Sequence, residues 1–210
     1  MTMGLKLKEA DALIARSDLN AIAAMIPMQA KIMDLGCGSG RLLKALKTLR
    51  NAKIMGVERD QDKIIECARR GVPVVQADLD EQLCDIPDNS YDYVILSRTL
   101  QTVKYPDVLL SEMLRIGRHG IISYMNFGQI EARLQLLAGN MPVTRSLPLK
   151  WYQNENIHPG TLGDFRNLCK ERGIRILKEI PISQKGDFLK YLTPLWPNLF
   201  ASNCIFVISK

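Results

Sequence analysis

The chain has 210 residues, a hydrophobic fraction of 47% and a formal net charge of +6, figures that suit one domain around one sizeable core and exclude a disordered or collagen-like chain. No apolar run reaches the length of a bilayer span. Residues 1–16 mix Lys6, Lys8, Glu9 and Asp11 with apolar residues and lack a signal-peptide core, so a cytoplasmic location with no membrane partner is expected.

Strand and helix patterns alternate along residues 1–210, which are read as one domain, with 1–15 as an N-terminal helix or tail. A first strand ends in Ile32, Met33, Asp34 and Leu35. Leu42, Leu43, Leu46 and Leu49 then recur at helical spacing, followed by a strand over 53–58. Asp60 caps a helix whose apolar face is Ile64, Ile65 and Ala68, with Arg69 and Arg70 in its last turn and Gly71 beyond. A third strand covers 72–77 and a fourth 91–97, after the turn cluster Pro87, Asp88, Asn89 and Ser90. A helix over 108–116 and a strand over 120–124 come next, then a helix marked by Ile130, Leu134 and Leu137. The proline- and aromatic-rich stretch 141–159 reads as a structured loop. Thr161 and Asp164 form a capping-box pair ahead of Phe165, Leu168 and Cys169. Two strands, over 174–180 and 204–209, close the chain and should pair antiparallel, since no helix pattern separates them.

The chemistry concentrates after the first strand, where Asp34, Gly36, Cys37, Gly38, Ser39 and Gly40 follow one another with a single leucine between the acid and the first glycine. Glycine lets the backbone turn tightly and a ligand approach the main chain, and a strand-to-helix turn of this kind lies at the carboxyl edge of a parallel sheet. The dinucleotide fingerprint requires a glycine where this chain has Arg41. The spacing D-x-G-x-G-x-G instead resembles motif I of class I S-adenosylmethionine-dependent methyltransferases. Glu58, at the end of the second strand, is placed to accept from a ribose diol, a role that serves nicotinamide and adenosylmethionine ligands alike. Asp78, after the third strand, can accept from an adenine amino group, with Leu79 beside it as a backbone donor and apolar contact. Ser97 and Arg98, where the fourth strand ends, fall near the position expected for the methyl group. A sulfonium ligand with an amino-acid tail tolerates Asp34 beside the loop, whereas a pyrophosphate rewards bare amides at a helix start.

Other features read as structural. The five cysteines are scattered without a C-x-x-C pair, so neither zinc nor redox chemistry is expected, and Cys37 is read as fitting a small space within its loop. Lys44, Lys47, Arg50 and Lys53 lack interleaved aromatics and read as a solvated face, with no nucleic-acid partner expected. The two histidines, His119 and His158, have no sequence-adjacent partner that marks a base; His119, at a strand start, is read as structural.

A narrower resemblance follows. The stretches 78–81, 91–97, 99–101, 126–128, 133–136, 141–144 and 151–152, with Asn156, Ile157 and His158, make residues 16–180 resemble the MetW family of methionine-biosynthesis proteins. The stretches within 126–165 are the specific ones. The segment after Pro181 carries little of the resemblance, and Ser39 departs from it where an acid is common. The resemblance implies a Rossmann-like class I methyltransferase fold: a mostly parallel seven-stranded sheet with an antiparallel last strand and helices on both faces. It implies binding of S-adenosyl-L-methionine or S-adenosyl-L-homocysteine, partnership with homoserine O-acyltransferase, and no particular methyl acceptor. The expected cofactor-binding residues are Asp34, Gly36, Cys37, Gly38, Gly40, Glu58, Asp78, Leu79 and Ser97. The alternative is a methyltransferase acting on an unidentified small molecule.

Overall fold

The computed structural model describes residues 17–81, 83, 85–144, 147–153, 157–183 and 191–210. The expected helix or tail over 1–15, Cys84 and Asn156 lie outside the described residues. Seven strands form one sheet in the order β3-β2-β1-β4-β5-β7-β6. They are β1 (Lys31–Leu35), β2 (Lys53–Glu58), β3 (Val74–Gln76), β4 (Tyr91–Ser97), β5 (Gly117–Met125), β6 (Arg175–Ile182) and β7 (Asn203–Ser209). The helices are α1 (Ser17–Met25), α2 (Arg41–Arg50), α3 (Gln61–Arg69), α4 (Pro106–Ile116), α5 (Ile130–Leu137), α6 (Leu162–Glu171) and the short α7 (Pro197–Phe200). Neighbouring strands from β3 to β5 run parallel, and β7 is antiparallel to both β5 and β6. The antiparallel pairing of the last two strands is as expected. Insertion of β7 between β5 and β6 is a fold feature that chain order does not display.

Alternate side chains on each strand serve opposite faces of the sheet. Met33, Val94, Ile122 and Phe206 join a core with Leu110 and Met113 of α4 and Phe165 of α6. Their neighbours Ile32, Ile95, Ile121 and Ile205 join a second core with Ile22 and Ile26 of α1 and Leu43 and Leu46 of α2. Continuous apolar runs such as Val94-Ile95-Leu96, wholly buried, follow from a sheet covered on both sides. Burying one such side chain contributes about 1.5–3 kcal/mol.

Local signals act where they were expected. Asp60 accepts from the Asp62 and Lys63 amides at the start of α3, and Thr161 and Asp164 complete a capping box on α6. His119 stacks on Tyr93 at 5.3 Å between centroids. Arg50 differs from the solvated reading of its group: its guanidinium donates to the Ala23 and Ala24 carbonyls at 3.1 and 3.3 Å. It satisfies carbonyls that the last turn of α1 leaves without helical partners.

The chain leaves β1 toward β2 on one side and returns through β4 on the other. The carboxyl ends of these two strands therefore bound a crevice at the point where strand order reverses, the usual ligand position in open parallel sheets.

Candidate functional site

Gly36, Gly38 and Gly40 all adopt positive φ, at 74°, 54° and 71°, which costs other residues strain. Their surroundings differ. A Cβ at Gly36 would meet Thr99 at 2.7 Å, and one at Gly40 would meet the Cys67 sulfur at 2.9 Å. A Cβ at Gly38 meets no heavy atom among the described residues within 4 Å, so the loop presents its bare backbone to open space there. The Gly38 amide donates to Glu58 Oε2 at 2.8 Å. Glu58 Oε1 accepts from the Arg59 and Asp60 amides at 2.9 and 3.1 Å. One carboxylate thus fixes the glycine loop to the end of β2.

A cavity of about 790 Å³ opens at this edge. Gly36, Glu58, Asp78 and Leu79 line it, together with Thr99, Val103 and the segment residues Leu149, Gln153 and Ile157. Its charged lining is balanced, with Glu58, Asp78 and Asp80 against Arg59, Arg98 and Lys104. The acids organise the wall through the main chain: Asp78 accepts from the Asp80 amide at 3.0 Å, and Asp80 accepts from the Lys104 amide at 2.6 Å. Arg59 lies 3.8 Å from Asp78.

The other expected residues stand around the cavity rather than on its wall. Asp34 is buried at the end of β1. Cys37 sits under the loop with its sulfur 3.9 Å from that of Cys67, and a Cβ on Gly56 would meet it at 2.5 Å. This is the small-space role expected of it. Burial, and then the Asp34 carboxylate, push the Cys37 thiol far above its ordinary range; burial also raises Cys67. Ser97 ends β4 opposite Ser123 of β5.

Three residues hold this edge together: Arg98, which the sequence placed near the reactive end, and Asp18 and Gln101, to which sequence reasoning gave no role. Asp18 of α1 is fully buried. Its Oδ2 accepts from Ser123 Oγ at 2.7 Å and lies 3.4 Å from Arg98 Nε. Arg98 has a φ of 64°. With the Asn203 amide nitrogen donating to the Ser202 carbonyl, its oxygen accepts from Arg98 Nη2 at 2.9 Å. The third is Gln101, 2% exposed. Its amide group exchanges hydrogen bonds with the Met125 main chain at 3.0 and 2.7 Å, and donates to the His158 carbonyl at 3.3 Å. The His158 amide donates back to the Gln101 carbonyl at 2.8 Å. The segment that brings Leu149, Gln153 and Ile157 to the cavity is therefore anchored at its far end to the turn after β4. An apolar pattern cannot announce partners so distant in sequence.

Comparisons with known proteins agree with the geometry. An S-adenosylmethionine-dependent methyltransferase from Mesorhizobium loti superposes with a TM-score of 0.67 and 17% identity, covering 94% of this chain and 100% of that one. One from Archaeoglobus fulgidus gives 0.66 and 17%, covering 91% of each chain. With strand order and helix placement, these define the Rossmann-like class I methyltransferase fold. The model of the family described as methionine biosynthesis protein MetW matches residues 16–208. The chain belongs to the MetW family.

Among its relatives is the bifunctional methionine biosynthesis protein MetXA/MetW of Rhodopirellula baltica, 35% identical over 173 residues that cover 78% of this chain and 28% of that protein. A carboxy-S-adenosyl-L-methionine synthase of Campylobacter concisus is 30% identical over 95 residues, 43% of this chain and 41% of the synthase. This chain thus spans well under half the length of either curated relative. Among the described residues, no helix is long and apolar enough to cross a membrane.

Proposed function

We propose that this chain binds S-adenosyl-L-methionine, or S-adenosyl-L-homocysteine, in the cavity beside its glycine loop and acts with homoserine O-acyltransferase in methionine synthesis. The observation that carries the ligand is the Glu58 carboxylate, lining the cavity while it holds the Gly38 amide at 2.8 Å. That pairing sets a diol acceptor next to a stretch of bare backbone. Asp78 and Leu79 suit the adenine, Gly36 and Gly38 the close approach of the main chain, and Ser97 the reactive end. Asp34, Cys37 and Gly40 support the loop from beneath. The balanced wall, three acids against three cations, suits a ligand that carries a sulfonium, an ammonium and a carboxylate. A pyrophosphate favours a net-positive wall instead.

The partner reading is supported by family membership and by the Rhodopirellula relative, whose name joins MetXA and MetW in one chain. A second reading, transfer of the methyl group to a small molecule, is favoured by the size of the cavity. About 790 Å³ stands high within the roughly 300–1,000 Å³ typical of ligand pockets and leaves room beside a nucleoside. Co-expression with the acyltransferase of the same organism tests the first reading. Size-exclusion chromatography should show a complex, and acyl transfer to homoserine should be faster with this chain present. Separate elution with equal acyltransferase rates would leave the small-molecule methyltransferase.

A further inference from the structure

Residues 147–153 have two sides. Leu149 and Gln153 line the ligand cavity, joined by Ile157, while the intervening aromatics face outward, with Trp151 71% and Tyr152 61% exposed. The two rings meet edge to face at 5.6 Å, and the Lys150 ammonium lies 5.9 Å from the Tyr152 ring centre. The segment is not loosely draped. Leu147 is buried and bridges to Thr144, Lys150 donates its amide to Gln153 Oε1 at 3.0 Å, and His158 is fixed to Gln101. Upstream, Val143 exchanges hydrogen bonds of 2.8 and 3.0 Å with Gln135 of α5. An ordered pair of large amphipathic rings that buries little of its own surface matches the residue types which dominate protein interfaces.

We infer that the outward face of this segment, carried by Trp151 and Tyr152, is the surface on which the acyltransferase docks, and that ligand in the cavity and partner on the rings alter one another's affinity. The inference rests on the proposed function above and adds the surface and its coupling. The occupant follows from the Rhodopirellula relative, in which the stretch matching this chain is 28% of the protein and the name pairs it with a MetXA part. Tethering holds two such modules together at high effective concentration. Lys150 gives the patch a cationic rim, which an acidic edge on the partner complements. Coupling arises because the segment from 147 to 153 carries both contacts: a ligand that shifts Leu149 and Gln153 also shifts the rings between them. Thermodynamic linkage makes the effect reciprocal.

The test uses the full chain and the acyltransferase of the same organism, with affinity measured by biolayer interferometry in the absence and presence of S-adenosylmethionine. Trp151→Ala/Tyr152→Ala should weaken the complex at least about tenfold, while calorimetric affinity for S-adenosylmethionine stays within about twofold. Wild-type affinity for the partner should change about fivefold or more on adding the ligand. Tyr152→Glu, which keeps a side chain on the surface and sets a like charge against the partner's acidic edge, should reproduce the loss with an unchanged melting temperature. Tyr105→Ala, at an exposed ring outside the segment, should leave the complex intact. Wild-type binding that survives both ring variants would overturn this surface while leaving the partnership standing. Failure of the wild-type pair to bind at all would overturn both. Self-association of this chain, abolished by the ring variants while the acyltransferase binds them normally, would assign the patch to a second copy and reject the inference.

Discussion

Glu58 and Gly38 are twenty residues apart and joined by a 2.8 Å hydrogen bond, so the glycine loop after β1 and the end of β2 form one rigid corner. Glu58→Ala removes both the proposed ribose acceptor and the anchor of the loop. Affinity for S-adenosylmethionine should fall by about 1.5–3 kcal/mol, the range for hydrogen bonds to a charged group. Titration calorimetry on the wild type and the variant measures it, and equal affinities would remove Glu58 from the site.

Gly38→Val and Gly36→Ala should separate ligand approach from loop packing. A side chain at Gly38 projects into open space among the described residues, so Gly38→Val should fold, with a left-handed backbone cost of about 1–2 kcal/mol, and lose ligand binding. Gly36→Ala drives its methyl group to 2.7 Å from Thr99 and should destabilise the fold itself. Circular dichroism melting with ligand titration distinguishes the two. A folded Gly38→Val that binds ligand normally would show that the approach lies elsewhere.

Asp18→Ala should be among the most damaging single changes in α1. The carboxylate is fully buried beside Ser123 and Arg98, and removing one partner of a buried charged cluster costs about 3–5 kcal/mol. Urea unfolding is the measurement. A loss below about 1 kcal/mol would mean that the Asn203 contact alone suffices to hold Arg98.

How much of this was legible in the sequence depends on how local each determinant is. The D-x-G-x-G-x-G turn, the Asp60 cap and the Thr161–Asp164 box act within a few residues, and each is found where its pattern placed it. Glu58 was legible because a strand of known length ends there. The Asp18–Ser123 bond spans 105 positions, and Asn126, which donates to the Ala201 carbonyl at 2.8 Å, reaches across 75. The first pair exists only once α1 packs against β5, and the second only once β7 is inserted beside β5; neither periodicity nor turn chemistry encodes those placements. Strand limits differ for a related reason. The third strand was expected over 72–77 and forms as Val74–Gln76, because the Val72 amide instead closes the turn after α3 on the Cys67 carbonyl at 3.0 Å.

Alkaline pH should destabilise the protein. Burial raises the Cys169 thiol from 9.0 to about 11 and pushes Cys37 and Cys204 higher still. Above pH 9 the unfolded thiols release protons that the folded ones retain. The unfolded state then binds fewer protons, and stability falls as pH rises from the unfolded thiol value through the folded one. Urea midpoints at about pH 8.0, below that window, and about pH 10.5, within it, should differ in this sense. The same burial keeps Cys37 protonated at neutral pH, so its reaction with a disulfide reagent should be much slower than that of free cysteine. Rapid labelling of Cys37 in the folded protein would contradict its packed position.

Titration calorimetry of the full chain against S-adenosylmethionine, S-adenosylhomocysteine and NAD tests the central claim most directly. The account predicts saturable one-to-one binding of the adenosyl compounds, accompanied by a rise in melting temperature from mass action on the folded state, and no comparable heat with NAD. Tight binding of NAD with none of either adenosyl compound would contradict it.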